Sequence, residues 1–434
     1  MEFLAARWKE GDFFPRYMLW WYNGVEPFRY WAPLPYYVLG ILQFAGGPGV
    51  GFWLFSLCWY LAASLSWLSF RKEWGAGPAL LVGVLYALFP DNLRVLFSEG
   101  NLPRMAVAAL FPVALKCVAV LCHGGSGRRR SFACLAVVAA AMVLSHAMVA
   151  AMAVAALTLA AVFHSLGARD PRPLLSVVGA SVLGAGLAGW WLLPSLVGGV
   201  AAVDPEAVRE VMRQHAFFPL TAMLDPLGRI ANREAFYYPV SAFAFLAVVS
   251  VLVWRRSWFE RSVLFAAAVL SLSFTKTAAV LWVMLPLSNL VWSYRFLPFV
   301  GGLCVFLLGS VAAEKRKSWL PLVFAAAMLA DGWVSVDLLV SGRPYPSDLE
   351  GAFAAARGAR RVAVLDLSEF GSAPSYFLSS RFGAKQVYGW AWQGAATARN
   401  IMLLNTAFEK GWHGYLFDRA KQLGADVLVV KADR

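Results

Sequence analysis

The sequence is short of charge. Only 15% of its 434 residues are charged, whereas 60% are hydrophobic, and the mean hydropathy is +0.61. A soluble domain carries about a quarter charged residues, because its surface must be hydrated. The composition therefore excludes a wholly soluble protein and indicates that lipid contacts much of the surface. The 19 Trp and 31 Phe residues agree with this, since aromatic rings favour the membrane interface.

Motifs for disulfides, metals and nucleotides are also missing. None of the five cysteines forms a CxxC pair and all lie in apolar runs, which is typical of packing: Cys58, Cys117, Cys122, Cys134 and Cys304. The five histidines are scattered, without an HExxH motif. A metal site built from His and Cys is not expected, while a divalent cation such as Mg²⁺ or Mn²⁺ on carboxylates is left open. The glycines at 46–51 precede an apolar run rather than follow a strand, so they predict a turn and not a phosphate-binding loop.

Ten apolar runs are long enough to predict membrane-spanning helices. They are 50–70, 75–90, 103–122, 131–145, 147–165, 173–196, 237–254, 261–275, 294–313 and 318–340. The continuous run 131–165 is too long for one crossing, so we expect two helices that turn at Ser145-His146. The shorter stretches 34–46 and 276–292 predict interfacial or re-entrant elements on the outer face.

The net charge of +13 is distributed as short basic clusters between these runs. Nucleic acid is not expected as a partner, because such clusters are typical of membrane orientation. Most of the clusters fall on one side, which is predicted to be cytoplasmic: Arg71-Lys72, Arg128–Arg130, Arg169 with Arg172, Arg255-Arg256 with Arg261, and Lys315–Lys317. The N-terminal residues, the 197–236 loop and the C-terminal segment are then extracytoplasmic. Because the chain opens with neither a signal peptide nor a span, we also expect a preceding helix.

Three domains are predicted: an outer-face loop with interfacial helices (1–49), a transmembrane helical domain (50–341) and a soluble extracytoplasmic α/β domain (342–434). In the last of these, charged residues become frequent. Strands are predicted at Arg361–Leu367 and Ala425–Lys431, and helices at 398–410 and 414–423, the second ending at Gly424. About ninety residues with two strands and two helices make half of an α/β domain, so we expect this domain to be truncated.

Polar and aromatic residues concentrate in two outer segments. In residues 11–37 aromatic residues alternate with arginines. This pattern is typical either of a site that binds a sugar phosphate or of an aromatic belt at the membrane interface. Residues 91–104 hold Asp91, Arg94, Glu99 and Arg104, which suit either general-base or cation chemistry or a solvated loop with balanced charges. His146 is interpreted as a proton relay or phosphate contact, or as a capping residue. Arg295 is interpreted as a lipid-phosphate ligand or as a residue that reaches the headgroups.

The order of five motifs resembles a known family. FFPRY, PFRYWAPLPYY, SEGNLPRMAVAALFP, SHAM and WSYRFLPF are similar to bacterial multipass membrane proteins of the glycosyltransferase superfamily C (GT-C) fold. The group is often labelled 6-pyruvoyl-tetrahydropterin synthase-related, a name with little bearing on chemistry. The resemblance implies an all-α polytopic membrane domain of about ten helices, with a small C-terminal α/β segment, in the bacterial plasma membrane.

The family uses polyprenyl-phosphate sugars and a catalytic acidic residue just after the first span, a helix that this chain is expected to lack. The resemblance then implies that Glu99, with Glu2 or Asp12, supplies the base or cation ligation. Arg16, Arg104, His146 and Arg295 are the residues expected to hold phosphate. Trp21 and Tyr36 represent the aromatic residues expected to cradle sugar or lipid.

The resulting hypothesis is a membrane glycosyltransferase-like protein that transfers a sugar from a polyprenyl-phosphate donor to an extracytoplasmic glycan or protein. Two alternatives stay open: a non-catalytic assembly factor for envelope polysaccharide, and a transporter or flippase of lipid-linked sugars. A transporter would need polar residues at mid-membrane depth. The predicted spans carry few of them, apart from Lys116 near a cytoplasmic end.

The predicted orientation can be tested by cysteine labelling in a Cys58→Ser background. A cysteine at Ser126, beside the Arg128 cluster, should react with a membrane-impermeant maleimide only after the cells are permeabilised. A cysteine at Asp348, in the C-terminal segment, should react in intact cells. Labelling of the Ser126 position in intact cells would show that the predicted orientation is wrong.

Overall fold

The structure is a computed structural model that describes residues 2–98, 100–197, 253–254, 256–273, 275–284, 293–313, 319–333, 347–365, 382–389 and 398–430. The helices before the C-terminal segment are α1 (Glu2–Lys9), α2 (Pro27–Tyr30), α3 (Pro33–Leu65), α4 (Arg71–Trp74), α5 (Ala76–Ala87), α6 (Pro90–Leu93), α7 (Leu102–His123), α8 (Arg128–Ala168), α9 (Arg172–Leu187), α10 (Gly189–Val197), α11 (Trp258–Leu272), α12 (Lys276–Met284), α13 (Leu297–Ala312) and α14 (Leu320–Trp333). The C-terminal segment holds α15 (Ser347–Ala355), β1 (Arg361–Leu365), β2 (Lys385–Gln386), α16 (Ala398–Glu409), α17 (His413–Gln422) and β3 (Val427–Val430).

These elements form two compact units. The first contains Ala32–Leu193 and Asp204–Ser341. The second contains Glu2–Trp31, Pro194–Val203 and Gly342–Arg434. Residues 2–31 therefore share a unit with the C-terminal segment.

Apolar helices dominate the first unit. Among the described residues, four helices are long and apolar enough to cross a bilayer, and two bent pairs, at 53° and 78°, raise the number to six if each pair is one span. The four are Gly49–Trp74, Leu102–His123, Arg128–Ala168 and Ser293–Ala312, and the pairs are Ala76–Ala87 with Pro90–Leu96 and Arg172–Leu187 with Gly189–Val197. Large apolar side chains on their outer faces are exposed, Leu193 and Val182 among them, as expected for surfaces that lipid covers. The predicted number of about ten crossings stays a prediction, and 237–252 and 334–340 lie outside the described residues.

Helix α8 reverses direction at His146. This residue has non-helical backbone angles (φ −165°, ψ 97°) inside the helix. The start of α8 follows α7 after four residues, and near its end His164 Nε2 lies 3.1 Å from the Cys122 carbonyl oxygen, in the last turn of α7. Both ends of α8 therefore lie at the same end of α7, so the chain must turn back between them. The prediction of two helices that turn at Ser145-His146 is confirmed.

A second break separates the stretch 34–46 from the following span. Gly47 has φ +79° and ψ 172° within α3, a conformation that is open to glycine and strained for other residues. The short apolar stretch is thus a helical segment of its own, and its place at the outer face of the membrane stays a prediction.

Small residues set the packing of α9 against the first half of α8. Ala180, Gly184 and Ala188 are buried on one face of α9 or directly after its end. A Cβ atom at Gly184 would stand 2.6 Å from the Ala136 carbonyl oxygen and 2.7 Å from the Ala139 Cβ. Such spacing of small residues lets two helix backbones approach closely.

The second unit is built on a parallel sheet with strand order β2-β1-β3. The two predicted strands and both predicted helices of this segment are present, and Gly424 follows α17 with φ +79°. The short strand β2 was not predicted. At its edge, the backbone N–H of Gln386 donates to the carbonyl of Trp20 at 2.7 Å, and the Tyr22 hydroxyl donates to the carbonyl of Gly389. The N-terminal residues thus pack on the α/β sheet as part of the same fold.

Asp426 fixes the start of β3 beside β1. Its carboxylate accepts the backbone N–H groups of Arg361 and Arg360, each at 2.9 Å. These two bonds favour the ionised form and hold the pKa of the Asp426 carboxyl below its usual range.

Helix packing at Gly184 can be tested with a pair of alanine substitutions. Gly184→Ala should lower the thermal midpoint of the purified protein in detergent, with a loss of about 1–3 kcal/mol, because the added methyl group has no room beside α8. Gly186→Ala is the matched control, since a Cβ there meets nothing within 4 Å. It should leave the midpoint unchanged or raise it slightly. Equal midpoints for the two variants would contradict the packing described here.

Candidate functional site

Several interruptions of helical structure meet at one end of the first unit. Helix α6 follows α5 at the 53° bend and continues into a π-helical turn, Arg94–Ser98. The N-terminus of α7, the break at His146 and the short 3₁₀ turn Ser293–Phe296 contribute the remaining polar side chains. Helix ends and breaks expose polar groups, so this is where the apolar bundle can hold charge.

A buried carboxylate lies at the centre of this end. Asp91 has no exposed surface, and its Oδ1 accepts hydrogen bonds from Arg94 Nε at 2.9 Å and Arg94 Nη2 at 2.6 Å. Its other oxygen, Oδ2, lies 4.0 Å from Arg104 Nη2. The side chains of both arginines are at most 4% exposed. One carboxylate therefore hydrogen-bonds the guanidinium of Arg94 and lies at ion-pair distance from that of Arg104.

Local hydrogen bonds hold these residues in place. The side-chain amide of Asn92 donates to the Tyr86 carbonyl at 2.7 Å, which fixes α6 against the end of α5. The Tyr86 hydroxyl donates to the Ala108 carbonyl at 2.9 Å, which fixes α5 against α7. At the start of α7, Asn101 Oδ1 accepts the Arg104 backbone N–H at 3.3 Å, as an N-cap does.

His146 and Arg295 complete the cluster. The charges of Arg295 and Arg104 are close enough to act on the His146 imidazole, and Arg295 Nη1 lies 3.5 Å from Met148 Sδ. His146 Nδ1 also accepts the backbone N–H of Val149 at 3.5 Å, so the ring caps the second half of α8. We use the name basic cluster for Asp91, Arg94, Arg104, His146 and Arg295.

The basic cluster lies at the opposite end of α7 from the Arg128 turn. Arg104 is in the first turn of this 22-residue helix, and Arg128 follows its last residue by five positions. A helix of this length spans about 33 Å, close to the thickness of a hydrocarbon core. If the Arg128 turn is cytoplasmic, as predicted, the basic cluster faces the outside.

The structure brings three of the predicted site residues together and separates others. Arg104, His146 and Arg295 meet in the basic cluster, and the aromatic residue Tyr36 is half-buried in α3 of the same unit. Glu99 and the side chain of Glu2 lie outside the described parts of the chain.

Asp12, Arg16 and Trp21 belong to the second unit. The Asp12 carboxylate pairs with Arg7 at 2.7 Å, and Arg16 is exposed. Trp21 packs edge-on against Trp31, with ring centroids 6.1 Å apart, in the small core of that unit. Their roles in phosphate or sugar binding stay predictions.

Asp91 and Arg94 belong to the 91–104 segment, which is interpreted from the sequence as either a chemical site or a solvated loop, but neither is among the residues assigned a role. The signal that could have singled them out is their i, i+3 spacing directly after Pro90, which starts a helix and places both side chains on one face.

The donor set does not favour a cation at Asp91. Two guanidinium groups flank its carboxylate, and their positive charge opposes a divalent ion there. Within the described ranges, no three His, Cys, Asp or Glu side chains converge as metal ligands. The arrangement suits an anion, because guanidinium groups bind phosphate oxygens in a defined, often bidentate geometry.

Two family models match parts of the chain. A family model described as 6-pyruvoyl-tetrahydropterin synthase related domain, membrane protein, matches residues 28–342. A model of a domain of unknown function matches residues 350–433. No curated protein matches the chain.

Two solved structures share the fold. The arabinofuranosyltransferase AftD from Mycobacteria has a TM-score of 0.55 and 18% identity, over 88% of this chain and 28% of that protein. A mutant of AftD gives a TM-score of 0.55 and 17% identity, over 89% of this chain and 30% of that one. The chain thus spans less than a third of the length of AftD, and the likeness concerns the fold alone. The chain belongs to the family of 6-pyruvoyl-tetrahydropterin synthase-related membrane proteins, and its fold is GT-C-like, as its sequence motifs predict.

Proposed function

We propose that this protein is a glycosyltransferase-like membrane protein that takes a sugar from a polyprenyl-phosphate donor and transfers it to an extracytoplasmic glycan or protein. One observation carries the proposal: Arg104 lies beside the buried Asp91–Arg94 pair, and the charges of Arg104 and Arg295, from distant parts of the sequence, both act on His146. Cations gathered at the end of an apolar bundle suit a substrate that has both a lipid tail and a phosphate.

The basic cluster would act on the leaving group. In the transfer, the bond between the anomeric carbon and the donor phosphate oxygen breaks, and a bond from the acceptor oxygen to that carbon forms. Polyprenyl phosphate leaves with the bonding electrons, so negative charge grows on its oxygens. Preoriented arginines in a site shielded from water stabilise such charge effectively.

Two carboxylates would have different roles. Glu99, which lies in the sequence between Ser98 and the start of α7, is the candidate general base that takes the proton of the acceptor hydroxyl. Asp91 cannot readily take that role, because both of its oxygens face guanidinium groups. Asp91 is instead a positioning residue that holds Arg94 and Arg104.

The fold and the family support this function without naming the sugar. Since AftD is an arabinofuranosyltransferase, polyprenyl-phosphate arabinofuranose is the first donor to test, followed by the corresponding hexosyl donors. Incubation of the purified protein with labelled donors separates the proposal from its alternatives. Binding without transfer would favour an assembly factor, and movement of the intact donor across liposomes would favour a flippase.

The role of Glu99 predicts a specific loss of transfer. Glu99→Gln should reduce transfer of labelled sugar at least a hundredfold, because general-base catalysis contributes about 10²–10⁴-fold. Membrane insertion and donor binding should stay normal. Glu409→Gln, at an exposed position of the second unit, is the control and should transfer at the wild-type rate. A wild-type rate in Glu99→Gln would remove Glu99 from the mechanism.

The role of the arginines predicts a loss of donor binding. Arg104→Gln and Arg295→Gln should each weaken binding of the labelled polyprenyl-phosphate sugar about tenfold, or about 1.4 kcal/mol. Arg172→Gln removes an exposed arginine at the other end of the bundle and should bind the donor normally. Equal affinity in all three variants, measured with folded protein, would argue against phosphate binding at the basic cluster.

A further inference from the structure

The N-terminal part of the second unit presents an unusual apolar surface. Residues 13–25, which we name the aromatic hairpin, expose four large apolar or aromatic side chains to 46–69%. They are Phe13, Phe14, Tyr17 and Leu19. Isolated exposed apolar residues are common on proteins, but a cluster of them indicates a contact surface.

The backbone of the aromatic hairpin determines which of its side chains face outward. Met18 and Val25 form an antiparallel bridge, with N–H to carbonyl distances of 2.9 and 3.0 Å, and both are buried. Side chains alternate in extended backbone, so Tyr17 points away from Met18, and Leu19 follows in a turn with its side chain exposed. A solvent-facing side of such a pair normally carries polar residues.

These outward side chains lie next to one another. A Cβ atom at Gly24 would stand 3.1 Å from Tyr17 Cε1 and 3.7 Å from Leu19 Cδ2, so both side chains cover the same glycine. Phe14 contacts Phe28, with ring centroids 6.3 Å apart, and leaves much of its surface exposed. Tyr17 and Leu19 thus form one continuous patch, and Phe13 and Phe14 precede it in the chain.

The charged residues next to the patch in the sequence leave a positive excess. Glu10 and Asp12 both pair with Arg7, at 2.5 and 2.7 Å. Lys9 and Arg16 are exposed, and no carboxylate of the described residues lies within ion-pairing distance of either one. Exposed rings flanked by cations match the chemistry of a bilayer surface, with anionic phosphates above an apolar interior.

We propose that the aromatic hairpin is a peripheral membrane anchor that inserts Phe13, Phe14, Tyr17 and Leu19 at the level of the lipid headgroups. Lys9 and Arg16 contact lipid phosphates. A patch this small would bind a bilayer weakly from solution. In this chain α3 begins soon after the hairpin, and its second segment is apolar enough to span a membrane, so the covalent link keeps the hairpin at a high effective concentration near lipid. The inference does not rest on the proposed function.

Spin-label accessibility in the full-length protein tests the anchor. Labels at Phe14→Cys and at Leu19→Cys are compared in lipid nanodiscs, in a Cys58→Ser background with residual labelling subtracted. Both labels should be several-fold more accessible to oxygen, which dissolves in lipid, than to a water-soluble nickel chelate. Ala355→Cys, exposed on α15 of the same unit, is the matched control and should favour the chelate.

Two results would overturn the anchor. One is equal chelate accessibility at the hairpin and control positions. The other is shielding of the hairpin labels from both reagents in nanodiscs and detergent alike, which would indicate that protein covers the patch.

A charge reversal tests the contact with phosphate. Lys9→Glu combined with Arg16→Glu should raise chelate access at the Phe14 label in nanodiscs that contain phosphatidylglycerol. The change should be smaller in phosphatidylcholine alone. Lys410→Glu, an exposed lysine of the second unit, is the control and should change neither. No response to the double reversal in anionic nanodiscs would overturn the role of the two cations.

Discussion

A carboxylate that water does not reach constrains the end of the helical bundle where the candidate site lies. Burying the charge of Asp91 destabilises the folded protein unless cations and hydrogen bonds compensate it. Removing one partner of such a buried pair typically lowers the free energy of unfolding by about 3–5 kcal/mol. Arg94 supplies two short bonds from its own turn, and Arg104 reaches it from the start of α7. The bend after α5, the π-helical turn and the beginning of α7 are therefore tied to a single residue.

The same constraint acts on the backbone. In lipid, an unpaired N–H or carbonyl costs several kcal/mol, so helices break only where another group replaces the missing bonds. At His146 the ring accepts the N–H of Val149, and at the start of α7 Asn101 accepts that of Arg104. Polar side chains lie where the helices break, so charged and hydrogen-bonding groups occur together at one end of an otherwise apolar unit. The GT-C-like fold of this family can thus build a polar site without opening its core.

The two ends of the chain are one folded unit despite the roughly three hundred residues between them. The backbone N–H of Gln386 donates to the Trp20 carbonyl, and the Tyr22 hydroxyl donates to the Gly389 carbonyl. The Tyr22 ring lies in the small core with Val387 and Leu404. A small packed unit cannot have its two halves on opposite sides of a bilayer. The N-terminal residues and the C-terminal segment therefore share one side of the membrane.

Much of the architecture could be predicted from local patterns. Apolar runs, the interruption at Ser145-His146, the strands at 361 and 425 and the family motifs each depend on residues close together in sequence. The site was predicted only in part: Arg104, His146 and Arg295 were chosen singly, whereas Asp91 and Arg94 were noted in the 91–104 segment but were assigned no role. The sequence by itself determined that the chain enters lipid and that a helix breaks at Ser145-His146, because hydrophobicity and the interruption of an apolar run are local. The 78° bend inside the predicted span 173–196 was not predicted. Only the tertiary structure decided that Arg104 lies beside the buried Asp91–Arg94 pair, that Arg295 lies beside the break in α8, and that residues 2–31 pack on the C-terminal sheet. These results depend on contacts between distant segments, which periodicity and composition do not encode.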